Sequence, residues 1–77
     1  MMNIKILGTG CPKCKELERI TRQAVEELSL KAEISKVEDI MDIMKYNIIR
    51  TPGLVFNEKV VLSGRIPTVN EVKNLLN

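Results

Sequence analysis

The pattern of apolar and polar positions changes its period early in the chain, which separates a first strand from a first helix. Residues 3–7 alternate polar and apolar, as a half-buried strand does, and two glycines within residues 8–10 close the run. From Pro12 to about Leu28 apolar residues recur at helical spacing, with charged residues on the other face. Proline suits the first helical position, because its missing N–H would be unpaired there anyway. The apolar stripe is formed by Cys14, Leu17, Thr21, Ala24 and Leu28, with Ile20 and Val25 beside it.

The middle of the chain predicts a second strand and a short helix. The strand covers residues 31–37, whose apolar positions share one face. The helix covers residues 39–44 and begins at an acidic residue, Glu38 or Asp39. Its two methionines are expected to pack in the core rather than to bind a metal.

The last third of the chain predicts a hairpin followed by a helix. Residues 51–52 break the chain, and two β-rich runs, 54–56 and 59–62, follow across a gap of two residues that includes asparagine. Thr68 and Glu71 have the spacing of a capping box, which begins the final helix. The predicted order is therefore β-α-β-α-β-β-α, an α/β fold with the first two strands parallel and the last two antiparallel.

Length and composition indicate one small globular domain, residues 1–77. A chain of 77 residues buries only about 60% of the surface that its unfolded form exposes, so its core is thin. The 12 basic and 10 acidic side chains are dispersed and give a net charge of +2. With one Tyr, one Phe and no Trp there is little to stack on a base, so a nucleic-acid partner is not expected.

The sequence also limits the location and the chemistry. No run approaches the roughly 20 apolar residues of a membrane span, and the first residues lack the apolar run of a signal peptide, so we expect a cytoplasmic protein without a membrane partner. We also expect a monomer. The absence of histidine excludes zinc sites of mixed ligand type and cysteine–histidine nucleophile pairs. Two cysteines close together indicate chemistry more than structural cross-linking.

The sequence Gly-Thr-Gly-Cys-Pro-Lys-Cys holds both cysteines at the predicted start of the first helix. Cys11 precedes Pro12, so its sulfur faces the unpaired N–H groups and the positive end of the helix dipole. In such positions the pKa of a thiol falls from about 8.5 to roughly 3.5–7.5. Lys13 adds a positive charge that solvent largely screens. Cys14 lies one turn on, within the apolar stripe, where it can resolve a mixed disulfide formed at Cys11. Gly10 and the proline shape the surroundings of the first thiol.

Other interpretations of the same two residues remain open at this point. The thiolates could hold a soft ion such as Cu(I), the cysteines could be small core residues, or the chain could be an interaction module with a vestigial redox pair. Copper-carrying domains have a similar size, but they place Met-x-Cys at the loop, where this chain has Thr9. They also follow the first helix with two consecutive strands.

A strand followed by Cys-x-x-Cys at a helix start, with Thr51-Pro52 before a later hairpin, resembles the thioredoxin and glutaredoxin fold. The stretches "ILGTGCPKCKELE" (6–18) and "TPGLVFNEKVVLSGRIPT" (51–68) and the closing amphipathic helix carry a narrower resemblance. Through them the whole chain resembles the small thioredoxin-like redox-active disulfide proteins of archaea and bacteria. The resemblance implies a thioredoxin-like fold with a four-stranded mixed sheet flanked by helices. It also implies a thiol–disulfide oxidoreductase that needs no metal and no cofactor beyond its own cysteines.

The resemblance further assigns roles to individual residues. It implies that Cys11 is the attacking thiol and Cys14 the resolving thiol. Pro52 would be a cis-proline beside them, and the backbone of Thr51 would pair with an extended substrate. The implied partners are a protein or small-molecule disulfide and a cellular disulfide reductase.

Overall fold

Strands and helices follow one another in the order β-α-β-α-β-β-α, which confirms the predicted order. The computed structural model describes residues 2–48 and 50–76. The elements are β1 (Met2–Leu7), α1 (Pro12–Glu27), β2 (Ala32–Val37), α2 (Ile40–Met44), β3 (Gly53–Phe56), β4 (Lys59–Ser63) and α3 (Val69–Leu76).

The four strands form one mixed sheet in the order β2-β1-β3-β4. β1 runs parallel to β2 and antiparallel to β3, and β3 runs antiparallel to β4. The register of the last pair shifts between Leu54 and Val55. Because β1 lies between two neighbours, the loop that leaves its C-terminal end is anchored at the centre of the sheet.

The two faces of the sheet bury different numbers of apolar side chains. Since side chains alternate along a strand, Ile4 and Ile6 of β1 face one way and Leu7 the other. The first face packs against α1 and α3 in the larger core. The second face, under α2, has a small cluster of buried residues. The larger core contains Ile4, Ile6, Leu17, Ile20, Ala24, Leu54, Phe56, Leu62, Val72 and Leu76. The smaller core contains Leu7, Ile43 and Val55.

Helix α1 has the apolar stripe that the sequence predicts. Its buried residues are Cys14, Leu17, Ile20, Thr21 and Ala24. The buried Thr21 hydroxyl donates to the Leu17 carbonyl oxygen at 2.8 Å, so its polar atom is paired within the helix. The helix ends at Leu28, and Ser29 then takes the left-handed backbone conformation, with φ of 53°.

The predicted hairpin turns at Asn57 and Glu58, whose φ angles are 48° and 71°. Two successive left-handed residues are the signature of a type I′ turn, which matches the twist of the strands that it joins. The Asn57 amide donates to the Asn3 carbonyl oxygen at 2.8 Å, and the Asn3 amide donates to Asn57 Oδ1 at 2.9 Å. Asn57 therefore also fastens the hairpin to β1.

The expectation that the two methionines of α2 belong to the core is wrong. Met41 is 68% exposed and Met44 is 62% exposed, and Ile43 is the residue of this helix that packs against the sheet. The helix has five residues, so only one of its positions reaches the sheet. Asp39 begins the helix, because its Oδ1 accepts from the Met41 amide at 2.8 Å.

The predicted capping box at α3 forms only in part. Thr68 Oγ1 accepts from the Glu71 amide at 3.1 Å, as a helix cap does. The Glu71 carboxylate pairs mainly with the guanidinium of Arg65. The hydrogen bond from Arg65 lowers the pKa of Glu71, and the Thr68 backbone acts on the carboxylate in the same direction.

A pair of substitutions should separate the core from the exposed face of α2. Leu17→Ala should lower the free energy of unfolding by about 2–5 kcal/mol, because Leu17 is fully buried between α1 and the sheet. Met41→Ala should change it by less than about 0.5 kcal/mol, because little of that side chain is buried. Urea unfolding followed by circular dichroism measures both values. Equal losses in the two variants would contradict this account of the core.

Candidate active site

Cys11 and Cys14 are joined in a disulfide, with their Cα atoms 5.1 Å apart. Their surroundings differ. Cys11 is partly exposed, whereas Cys14 is 6% exposed and belongs to the buried stripe of α1. Solvent and a large partner can therefore approach the first sulfur more readily than the second.

Cys11 is the N-cap residue of α1. Its backbone is extended, and its Sγ accepts from the Cys14 amide at 3.2 Å. Helix formation begins at once, because the Lys15 amide donates to the Cys11 carbonyl oxygen at 3.1 Å. The first turn contains no acidic side chain, so nothing within it neutralises the positive end of the dipole. Both features favour negative charge on Cys11 once the disulfide is opened.

Pro12 and Lys13 follow Cys11 at the surface. Pro12 is the first helical residue, where its fixed φ suits the helix. Lys13 is exposed and enters no ion pair within residues 2–48 and 50–76. Its charge reaches the sulfur mainly through solvent, so its effect is small.

Two glycines shape the loop between β1 and α1, and only Gly10 is predicted from the sequence to do so. Gly10 has φ of +87°, a conformation that side chains rarely adopt. Gly8 is buried, and a Cβ there would overlap Cys14 Sγ. The Gly8 amide also donates to the Val37 carbonyl oxygen at 3.0 Å. Gly8 is identified as part of the site by its packing against Cys14. The sequence alone does not distinguish it from other glycines in loops.

Thr51 and Pro52 lie at the same end of the sheet as the loop that carries the cysteines. β3 begins just after them, and its first residue, Gly53, pairs with Leu7, the last residue of β1. The Thr51–Pro52 peptide bond is cis. Pro52 is buried and its carbonyl oxygen accepts from the Gly64 amide at 2.9 Å, whereas Thr51 is exposed.

A cavity of about 70 Å³ lies beside Cys14 and is not among the features predicted from the sequence. Two of its walls are the ion-paired Glu18 and Lys36, with Lys36 Nζ 3.3 Å from Glu18 Oε1. Burial raises the pKa of Glu18, but hydrogen bonds from Arg22 and Lys36 outweigh it, and the pKa is held below its usual range. A signal was present in the sequence, because Glu18 follows Cys14 by one helical turn. The cavity is lined by Ile6, Gly8, Gly10, Cys14, Lys15, Glu18, Lys36 and Glu38.

The fold distinguishes this chain from the copper-carrying domains considered above. α1 is followed by β2 and then by α2, rather than by two consecutive strands. Within residues 2–48 and 50–76, no three histidine, cysteine or acidic side chains converge as metal ligands would. Across the same residues, no helix combines the length and apolar character needed to cross a bilayer.

A disulfide across the first turn of a helix, on a mixed sheet of this topology, defines a class of protein: the thiol–disulfide oxidoreductases of thioredoxin fold. The comparison of sequences then gives the family. Residues 2–77 match the family model described as the thioredoxin domain. The chain belongs to the thioredoxin family.

Two archaeal relatives match over nearly the whole chain. A thioredoxin of Methanocaldococcus jannaschii is 45% identical over 76 residues, which cover 99% of this chain and 87% of the relative. A thioredoxin of Methanothermobacter thermautotrophicus is 37% identical over 76 residues, which cover 99% of each chain. These relatives and the cysteine pair support the oxidoreductase interpretation over the metal-carrier alternative.

A solved structure supports the fold independently. The germline-specific thioredoxin Deadhead of Drosophila melanogaster superposes with a TM-score of 0.66 at 20% identity. The match covers 97% of this chain and 77% of that chain. At this identity the likeness concerns the fold alone.

Gly8→Ala should disturb the disulfide, because the added methyl group would overlap Cys14 Sγ. We expect a loss of stability of about 1–3 kcal/mol, as for other overpacked core positions, and slower closure of the disulfide. Thermal unfolding and thiol titration after mild oxidation measure the two effects. Thr9→Ala is the matched control, because Thr9 is exposed in the same loop. A Gly8→Ala protein that closes its disulfide as fast as Thr9→Ala would contradict the packing described here.

Proposed function

We propose that the protein reduces or exchanges disulfides of other proteins in two steps, at Cys11 and then at Cys14, and that a cellular disulfide reductase restores the dithiol. The observation that carries this proposal is the asymmetry of the pair. Cys11 caps α1 and is partly exposed, whereas Cys14 is buried one turn later. The same asymmetry would suit small-molecule disulfides that reach Cys11.

In the first step the Cys11 thiolate attacks one sulfur of the substrate disulfide. A bond forms between that sulfur and Cys11 Sγ, the substrate S–S bond breaks, and the other sulfur leaves with the electron pair as a thiolate. In the second step Cys14 loses its proton and attacks Cys11 Sγ. The mixed disulfide breaks, the substrate leaves reduced, and the disulfide between Cys11 and Cys14 forms. A reductase then supplies two electrons and two protons.

Cys11 is the better attacking group because of its place in the fold. Cys11 caps α1, and the Cys14 amide donates to its sulfur at 3.2 Å. These donors and the helix dipole favour the thiolate, which is the nucleophile in disulfide exchange. Cys14 has no such advantage, because burial disfavours a charged sulfur.

The remaining predicted site residues are proposed to receive the substrate. Thr51 is exposed at the end of the sheet where the cysteine loop lies, so its backbone groups can pair with an extended chain. Pro52 would support that contact from its buried position. Gly10, Pro12 and Lys13 would form the rim around Cys11, and the positive charge of Lys13 would favour acidic neighbours of the substrate disulfide. We place this activity in a monomer in the cytoplasm.

The two cysteines should behave differently when each is replaced. Cys14→Ser should trap mixed disulfides with partner proteins, because the second step is blocked, and Cys11→Ser should not. In the reduced wild-type protein iodoacetamide at neutral pH should label Cys11 much faster than Cys14. Non-reducing gel electrophoresis and mass spectrometry measure these results. Equal labelling rates for both cysteines from pH 5 to pH 9 would remove the argument from helix position.

The contact at Thr51 should be visible in a trapped complex. When Cys14→Ser protein is joined through Cys11 to an extended cysteine peptide, the Thr51 amide should shift in nuclear magnetic resonance spectra. The Asn70 amide, which lies in the exposed part of α3, is the reference that should stay in place. An unshifted Thr51 amide in a fully formed complex would contradict the proposed contact.

A further inference from the structure

A groove of about 610 Å³ lies on the face of the sheet that α2 covers only in part. Helix α2 has five residues and packs through Ile43 against the two central strands. Tyr46 and Ile48, which follow the helix, line the groove together with Val60 of β4. Val60 pairs with the buried Val55 of β3, so the two side chains share a face, yet Val60 is 38% exposed. The groove therefore leaves apolar surface open where α2 does not reach β4.

The charged side chains that line the groove are both arginines, and they come from separate parts of the chain. Arg65 is already paired, because its guanidinium donates to both oxygens of the Glu71 carboxylate. Arg50 enters no ion pair within residues 2–48 and 50–76. Across the same residues no carboxylate lines the groove. Apolar surface is thus combined here with a positive charge that the described residues do not compensate.

The side chain of Arg50 is held close to the redox site. Arg50 directly precedes Thr51 and Pro52. Its stem lies against Gly64, where an added Cβ would be 3.3 Å from Arg50 Cβ and 3.6 Å from Arg50 Cδ. Gly64 has φ of +79° and donates its amide to the Pro52 carbonyl oxygen at 2.9 Å. A glycine at this position therefore permits both the backbone conformation and the close approach of the arginine.

A substrate chain that pairs with Thr51 passes the opening of this groove. Arg50 and Thr51 are neighbours, so their Cα atoms lie about 3.8 Å apart. An extended chain advances about 3.3 Å per residue and directs alternate side chains to the same side. A substrate side chain one or two residues beyond the contact at Thr51 therefore comes within reach of the Arg50 guanidinium. A carboxylate suits that group best, because the two can form parallel hydrogen bonds.

We propose that the groove between α2 and β4 selects protein substrates that carry an acidic side chain within about three residues of the reactive cystine. The Arg50 guanidinium binds this carboxylate and is the specificity-determining group. The occupant of the groove is the extended segment of the substrate itself, continuous with the contact at Thr51, and its apolar atoms cover Val60. No covalent bond is made or broken in the groove. This inference rests on the proposed function and adds a substrate preference to it.

The test uses extended cysteine peptides that carry glutamate, glutamine or lysine at the positions flanking the cysteine and are otherwise identical. Each peptide is joined by a disulfide to a coloured aryl thiol. The aryl thiolate leaves more readily, so Cys11 attacks the peptide sulfur and the release of colour measures the first step. Wild-type protein should react about 3-fold to 10-fold faster with the glutamate peptide than with the glutamine peptide, as a partly exposed arginine–carboxylate pair allows. High salt should reduce this preference, because it screens exposed charges.

Two substitutions at Arg50 test its role. Arg50→Gln should abolish the preference for the glutamate peptide. Arg50→Glu should reverse it in favour of the lysine peptide, because like charges are then opposed. The preference is a ratio of two rates on one protein, so a general loss of folding or of thiol reactivity does not affect it.

The matched control is Lys31→Gln, which removes a single positive charge from an exposed position. The Lys31 carbonyl oxygen accepts from the Met2 amide at 3.1 Å, so Lys31 lies at the end of β1 away from the cysteine loop. This variant should keep the wild-type preference, because the carboxylate is bound at the groove and is not drawn by the net charge of the protein.

A trapped complex shows where the peptide lies. When Cys14→Ser protein is joined through Cys11 to the glutamate peptide, the Val60 methyl groups and the Arg50 Nε–H group should shift in nuclear magnetic resonance spectra. The methyl groups of Val72 are the reference that should stay in place, because Val72 is fully buried in the larger core.

Three results would overturn the proposal. The first is equal rates for the glutamate and glutamine peptides with wild-type protein. The second is a preference that survives in Arg50→Gln. The third is an equal loss of preference in Lys31→Gln. A wild-type protein that reacts with none of the peptides would instead count against the proposed function, whereas equal reaction with all of them would leave that function standing and remove only the preference.

Discussion

The hydrogen bond from the Cys14 amide to Cys11 Sγ fixes the reactive sulfur to the start of α1, and the rest of the site is arranged around it. The bond is 3.2 Å long and is the N-cap contact of the helix. Because the N-cap residue is itself a cysteine, the sulfur that accepts from the first turn of the helix is also the group whose negative charge the helix dipole stabilises. The same geometry places Cys14 in the buried stripe. One local contact therefore produces two thiols of different character.

The order of strands and helices could be predicted because the signals that define each element lie within short stretches of the sequence. Helical spacing over α1, the two-residue gap at Asn57, and the Thr68 cap each have a direct physical meaning. The positions of both cysteines relative to Pro12 likewise follow from the sequence. The methionines of α2 could not be placed, because a helix of five residues has no full stripe to show which side meets the sheet.

The deeper part of the site could not be predicted, because it depends on contacts between distant segments. Gly8 matters because a side chain there would overlap Cys14, and this proximity appears only when β1 and α1 pack. Lys36 reaches Glu18 because β2 lies beside β1, across the crossover that α1 makes. No spacing in the sequence encodes that distance. The sequence indicates which groups are reactive, and tertiary packing determines which groups surround them.

The two outer strands of the sheet carry features that discourage another strand from pairing with them. β2 and β4 each leave one side of their backbone without a neighbouring strand in the described sheet. Glu33 and Lys36 project from β2, Lys59 begins β4, and the register shift next to β4 interrupts its regularity. Charges and irregular register discourage strands from adding to a sheet edge. A second extended chain is thereby discouraged from pairing along either edge of the sheet, where such pairing would lead to aggregation.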